Sequence, residues 1–237
     1  MIKTWMTPWL LMAVPFLGAA LSLLLRTSLQ RMKTSALLTT VASMLVVIGT
    51  PWALGDTLAG VPFLCLLPLT AFLSLLGQPL HRDNTSAWTT TLVLLGLGLG
   101  ILTAQAPAHD VMLLILPGLL CILLYRYQSG ATPETWRGLS AYGLSMMSAA
   151  LALVLPTPAS TVALLVTCAT LLPLLPVHSG FIATLTGLPG NLPAFLVFLL
   201  PTVGFHTLLT LLPNLTVTTL HTVAILALAG AVYGSLR

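Results

Sequence analysis

The chain has 237 residues, 57% of them hydrophobic and 5% charged, where an ordinary soluble domain carries about 25% charged residues. Eight Lys or Arg and four Asp or Glu cannot coat a globule of this size, so lipid is expected to solvate most of its surface. This excludes nucleic-acid binding, extended disorder and a disulfide-rich secreted scaffold, and the excess basic charge, scattered singly or in threes among short connections, reads as a topology signal.

A bilayer core about 30 Å thick needs about 20 mostly apolar residues per helix. Nine segments qualify, at about Trp5 to Leu25, Ser35 to Leu54, Gly60 to Gly77, Trp88 to Thr103, Val111 to Tyr127, Leu139 to Leu155, Thr161 to Pro176, Leu192 to Leu212 and Val217 to Ser235. The first follows Lys3 and contains Gly18-Ala19-Ala20, as a cleaved signal peptide would. Its apolar stretch is long and runs straight into Arg26, which favours a retained helix. Runs this long without strand alternation mean helices, because inside lipid each backbone amide must be paired within its own segment. The expectation is an all-α, polytopic transmembrane bundle of about nine helices forming a single domain over 1–237.

Arg26, Arg31 and Lys33 follow the first helix, Arg82 follows the third, Arg126 and Arg137 flank the turn after the fifth, and Arg237 follows the ninth. All seven fall on one side and only Lys3 opposes them, so the N-terminus is expected outside and the C-terminus in the cytoplasm.

Trp5, Trp9, Trp52, Trp88 and Trp136 lie near predicted helix ends, where an indole sits well at headgroup level. In the fourth helix Gly96 and Gly100 form a small-xxx-small face that admits a close neighbour, with Gly98 between them. Pro15, Pro68, Pro117, Pro173 and Pro201 fall within spans, where each removes an amide donor. Asp56, Asp83, Asp110, Glu134 and all the basic residues map to connections or helix ends, as do His81 and His109. The titratable groups near or within the spans are then His178 after the seventh helix, His206 in the eighth and His221 in the first turns of the ninth. Cys65, Cys121 and Cys168 each stand inside an apolar run with no partner at metal-ligand spacing, so they read as small apolar fillers, and neither a metal nor a cofactor is expected. No phosphate-binding Gly-x-x-x-x-Gly-Lys loop, His-Glu-x-x-His pair or sequence-adjacent nucleophile and base occurs, and no enzyme chemistry of the chain acting alone emerges.

The stretch Leu172-Pro173-Leu174-Leu175-Pro176-Val177-His178 resembles the Pro-x-x-Pro-Leu-His segment that closes the broken seventh helix of a known family. These are the antiporter-like membrane subunits of proton-pumping NADH:quinone oxidoreductase, membrane-bound hydrogenases and multisubunit sodium/proton antiporters. Leu188-Pro189-Gly190-Asn191-Leu192-Pro193 and Pro201-Thr202-Val203-Gly204 follow at similar spacing. Upstream, Gly60-Val61-Pro62-Phe63-Leu64, the link from Arg82 to Trp88, Asp110 and the stretch from Arg137 to Tyr142 keep the family's order. The resemblance implies three leading helices over about 5–77, an antiporter-like half bundle over about 88–212 and a final helix over about 217–235.

The departures bear directly on function. By motif spacing the family's Lys in the broken helix falls on Leu171 and its Lys in the eighth helix on Thr202; its helix 5 Glu would fall between Met112 and Leu119, where there is no acid. The family's Trp-Leu-Pro-Asp pattern is also replaced, around Gly180 to Thr184, and the chain ends near the point where the family's second inverted half begins. Proton pumping in that family shifts charge between the buried Lys and Glu. The resemblance therefore implies a shortened, degenerate relative that keeps the scaffold without the pump. Such a protein would be a non-catalytic structural subunit of a respiratory or ion-translocating complex, packed against other antiporter-like subunits in the bacterial inner (plasma) membrane. A competing expectation is a proton- or cation-conducting subunit, completed by another chain, whose path uses His178, His206 and His221 with Thr202, Thr207 and Thr210.

Overall fold

A computed structural model describes residues 2–54, 61–127, 133–172, 174 and 178–235. Among them there are ten α-helices and no strand: α1 (Ile2–Leu24), α2 (Leu29–Leu54), α3 (Val61–Leu76), α4 (Thr85–Thr103), α5 (Ala108–Tyr127), α6 (Pro133–Val154), α7 (Ala159–Leu171), α8 (His178–Gly187), α9 (Leu192–Leu211) and α10 (Val217–Ser235). Short 3-10 turns at Arg82–Asn84 and Leu212–Asn214 precede α4 and α10. Among the described residues four segments are long and apolar enough to cross a membrane: Leu29–Thr50, Thr85–Thr103, Ala108–Tyr127 and Leu192–Asn214. Shorter apolar helices run over Pro8–Leu24, Leu64–Leu76, Ala159–Leu171 and Val217–Ala229.

The helices form two compact units, one of Met1–Met112 with Pro189–Leu199, the other of Leu113–Leu188 with Leu200–Arg237. In the first, α4 packs on α1, α2 and α3, and α2 packs on both α1 and α3. The glycines of α4 make this possible. A Cβ on Gly96 would lie 3.2 Å from the Phe16 ring, and one on Gly100 would lie 2.5 Å from Met12 Sδ. The Gly96 and Gly100 face expected from sequence is therefore the seat of α1. Gly98 serves another side, where a Cβ would come within 2.5 Å of Leu199 Cδ1 and 2.8 Å of Leu67 Cδ2. Gly18 of α1 is pressed equally closely against Thr39 of α2.

The buried hydroxyls of α2 need partners in an apolar setting. Each bonds its own helix: Ser35 Oγ donates to Met32 O, Thr39 Oγ1 to Ser35 O and Ser43 Oγ to Thr39 O, all at 2.8 Å. Lys33 acts between helices instead. Its ammonium donates to Leu76 O at 3.2 Å and to Gln78 O, satisfying carbonyls that the C-terminus of α3 leaves without intrahelical donors.

In the second unit α6 packs on α7 and α8. Ser148 Oγ of α6 donates to Ala163 O of α7, and Thr167 Oγ1 of α7 donates to Ser145 O at 3.3 Å. Gly180 of α8 lies so close to Ala141 of α6 that a side chain there would overlap it.

The structure departs from the sequence-based elements in four places. Trp88 is fully buried in a cluster with Ala19, Met32, Ala36, Leu75 and Leu92, so it is a core residue and not a headgroup anchor. Trp9 and Trp136 are exposed, and the side chains of Trp5 and Trp52 lie outside the described residues. The stretch 178–187, expected to be loop, forms α8, which makes ten helices where nine were expected. α7 ends at Leu171, with Leu172 extended at φ −76° and ψ 128°, because a residue preceding proline is pushed out of the helical region. Finally, α2 and α6 begin several residues before their apolar stretches, at Leu29 and Pro133. Pro133 at the first position of α6 is favourable, since its missing amide is one that a helix start leaves unpaired. Of the prolines expected within spans, Pro15, Pro68, Pro117 and Pro201 lie inside helices, as does Pro8.

Candidate functional site

Leu171, one of the two residues expected from motif spacing to stand where the resembled subunits carry lysines, is the last residue of α7 and is fully buried. A Cβ added to Gly204 of α9 would lie 3.2 Å from Leu171 Cβ and 2.9 Å from Leu172 Cγ. The glycine thus gives the end of α7 its seat on α9. Thr202, the other residue so expected, is half-buried on α9. Between Met112 and Leu119 on α5 the side chains of Met112, Leu113, Leu116 and Pro117 are buried. A buried carboxylate would have no local polar partner in that stretch.

The histidines of the expected ion path occupy three helices. His178 is the first residue of α8 and half-buried; His206 is half-buried on α9, one turn beyond Thr202; His221 is exposed on α10. Pro173 and Pro176 of the family-like motif lie outside the described residues, while the motif's His178 opens α8. The hydroxyls expected to relay along α9 are engaged with their own helix, Thr207 Oγ1 donating to Val203 O at 2.9 Å and Thr210 Oγ1 to Thr207 O at 2.7 Å. Among the described residues no three His, Cys, Asp or Glu gather where they would hold a metal ion. Cys65 and Cys121 are half-buried and Cys168 is buried, all as free thiols.

One polar feature lies outside the sequence-based expectations. Tyr142, Ser145 and Ser148 of α6, Thr167 and Thr170 of α7 and Thr184 of α8 are all buried in the second unit. Thr167 and Thr184 donate to carbonyls, Thr184 Oγ1 to Gly180 O at 2.9 Å. The Tyr142 hydroxyl lies beside Thr184, yet neither it nor Ser145 Oγ makes a hydrogen bond of good geometry among the described residues. The signal for it is the run of hydroxyl residues at three-residue spacing, 142, 145 and 148 on α6 and 167 and 170 on α7, which places each set on one helical face. In chemical terms this seam offers neutral donors and acceptors and no carboxylate or ammonium.

At the other end of the chemistry, His109 Nδ1 and Asp110 Oδ1 lie 2.9 Å apart in the first turn of α5. Asp110 stands where a helix N-terminus favours negative charge. Beside this turn a small cavity of about 70 Å³ is lined by Pro8, Trp9, Gln105 and Met112, among others. Its walls carry no cluster of ionisable groups. The chain matches no protein-family model, no curated protein and no solved structure.

Proposed function

We propose that the chain is an integral membrane protein of the bacterial inner membrane, with its N-terminus outside and its C-terminus in the cytoplasm. Its function is that of a non-catalytic structural subunit of a respiratory or ion-translocating assembly, similar to antiporter-like subunits. The membrane setting is supported by the four long apolar helices. The likeness to antiporter-like subunits rests on the sequence from Leu172 to His178, which links the short helices α7 and α8.

The observation that carries the non-pumping reading is Leu171, buried against Gly204 where a titratable lysine would be needed. A pump must drive a buried group through several pKa units, and that requires a second buried charge near it. Leu171 cannot titrate, Thr202 carries no charge, and the α5 interval holds no acid. Extraction in mild detergent tests the assembly reading. Membrane partners of the antiporter-like class are expected to co-migrate with the chain, whereas a folded, monodisperse 25.0 kDa species would remove it.

The buried hydroxyl seam of α6, α7 and α8 favours a second reading, a passive conductor completed by another chain. Reconstitution separates the two, because a conductor sustains flux when its partner is supplied and a scaffold does not.

A further inference from the structure

We infer that the end of the Met1–Met112 unit bearing Arg26, Arg31 and Arg82 binds the phosphate of an anionic phospholipid, whose acyl chains lie along the leucines exposed beside it. The inference rests on the membrane reading above and adds a ligand to it. Arg26 and Arg31 flank the short connection between α1 and α2, closed by Arg26 N to Leu23 O at 3.3 Å and Ser28 N to Leu25 O at 3.1 Å, and both side chains are exposed. Lys33 reaches from the second turn of α2 to Leu76 O and Gln78 O. That bridge sets the start of α2 against the segment leading to Arg82, four residues beyond Gln78 and also exposed. The segment is tightly turned, with His81 N bonded to Pro79 O at 3.0 Å and Asn84 N to His81 O at 3.1 Å. Three exposed guanidinium groups therefore belong to one end of the unit, and Asp83 is the single acid in these two connections.

Retaining a loop in the cytoplasm requires only positive charge near a helix end. This end has more than that. The exposed charges are arginines, whose forked donors match phosphate oxygens, and the apolar surface beside them is open, Leu24 being 79%, Leu76 53% and Leu80 55% exposed. Free phosphate would use the arginines and ignore the leucines, whereas a phospholipid engages both. The anionic headgroup is the occupant that fits both the charge and the apolar flank.

The test uses the full chain in mild detergent, with lipid retention read by native mass spectrometry in micelles doped with phosphatidylglycerol or phosphatidylcholine. Phosphatidylglycerol should be retained preferentially. Arg26→Gln with Arg31→Gln should lower that retention by about tenfold or more, at about fivefold for each basic residue near an anionic headgroup. Arg126→Gln with Arg137→Gln should leave it unchanged. If the first pair fails to fold, Arg26→Lys with Arg31→Lys keeps the charge and loses the forked geometry. A reduced preference in that variant supports the site and an unchanged preference overturns it. Equal retention of the two lipids, equal loss in both glutamine pairs, or displacement of the lipid by millimolar inorganic phosphate overturns the inference and leaves the membrane reading standing. A chain that retains no lipid of any class and is released from membranes by carbonate overturns both.

Discussion

Ser74 and Asn191, 117 residues apart in the chain, hold each other through their backbones: Ser74 Oγ donates to Asn191 O at 2.7 Å, and Asn191 Nδ2 donates back to Ser74 O at 3.4 Å. The pair ties the last turn of α3 to the connection entering α9. A Cβ on the neighbouring Gly77 would lie 2.8 Å from Asn191 Nδ2, so the glycine admits the amide. Next to it Gly190 takes φ 62°, a left-handed conformation that side chains other than glycine adopt at a cost. Ser74→Ala is expected to lower stability by about 1 kcal/mol, read as a shift of the unfolding midpoint in detergent. Gly190→Ala should cost a similar amount or more, through backbone strain and through an added Cβ 3.1 Å from Asn84 Oδ1.

The three glycines of α4 predict a contrast with a glycine elsewhere. Gly98→Val would drive a side chain into Leu199 and Leu67 and should destabilise by about 1–3 kcal/mol. Gly49 of α2, where an added Cβ would meet nothing within 4 Å, should gain about 0.5–1 kcal/mol on substitution by Ala, because helix propensity then acts unopposed. Unfolding midpoints of the two variants measured side by side check the sign of each.

Leu171→Lys introduces, without a partner, the charge that the proposed likeness to antiporter-like subunits would set at this position. The ammonium would enter a fully buried site against Gly204, and the expected loss of stability is about 3 kcal/mol or more. Proton flux into liposomes loaded with a pH-sensitive dye should stay at the level of empty vesicles for the parent chain and for this variant. His178→Ala and His206→Ala should leave that baseline unmoved; a flux in the parent chain that either substitution abolishes would establish the conductor instead.

The proposed topology predicts that reporter fusions at Thr27 and within the 128–132 connection read cytoplasmic, and that one at Pro107 reads outside. The opposite sign at any of these sites would show that a span has been miscounted.

Several parts of the fold are legible in the sequence because the constraint that shapes them is local. An apolar run of 20 residues must be helical in lipid whatever surrounds it, and the Gly96 and Gly100 spacing reveals a close-packed face without naming its partner, α1. Trp88 misleads because an indole near a span end is equally compatible with headgroups and with a core. The choice is made by α1, α2 and α3 closing around it, which no local pattern encodes. α8 escapes notice for its length. Ten residues with glycine at positions 180 and 187 are too few and too flexible to read as a span, and what fixes the helix is the contact of Gly180 with Ala141. The burial of Leu171 is not legible in the sequence, since it depends on Gly204, more than thirty residues away. The hydroxyl seam stays hidden because Ser and Thr in membrane helices ordinarily bond their own carbonyls, as those of α2 do.

The division of the chain has a consequence for its biosynthesis. The first unit takes its last pieces from Pro189–Leu199, which follow the whole of Leu113–Leu188. When α4 leaves the ribosome, the Leu199 side chain that seats on Gly98 and the Asn191 that clasps Ser74 do not yet exist. At about 5–20 residues per second, translation of the intervening stretch takes on the order of ten seconds. During that interval α3 and α4 wait with a polar Ser74 unclasped and with Gly98 lacking the cover of Leu199. The earliest helices to be made are thus among the last to be finished, and a nascent chain stalled before residue 189 should be a preferred target for membrane proteases.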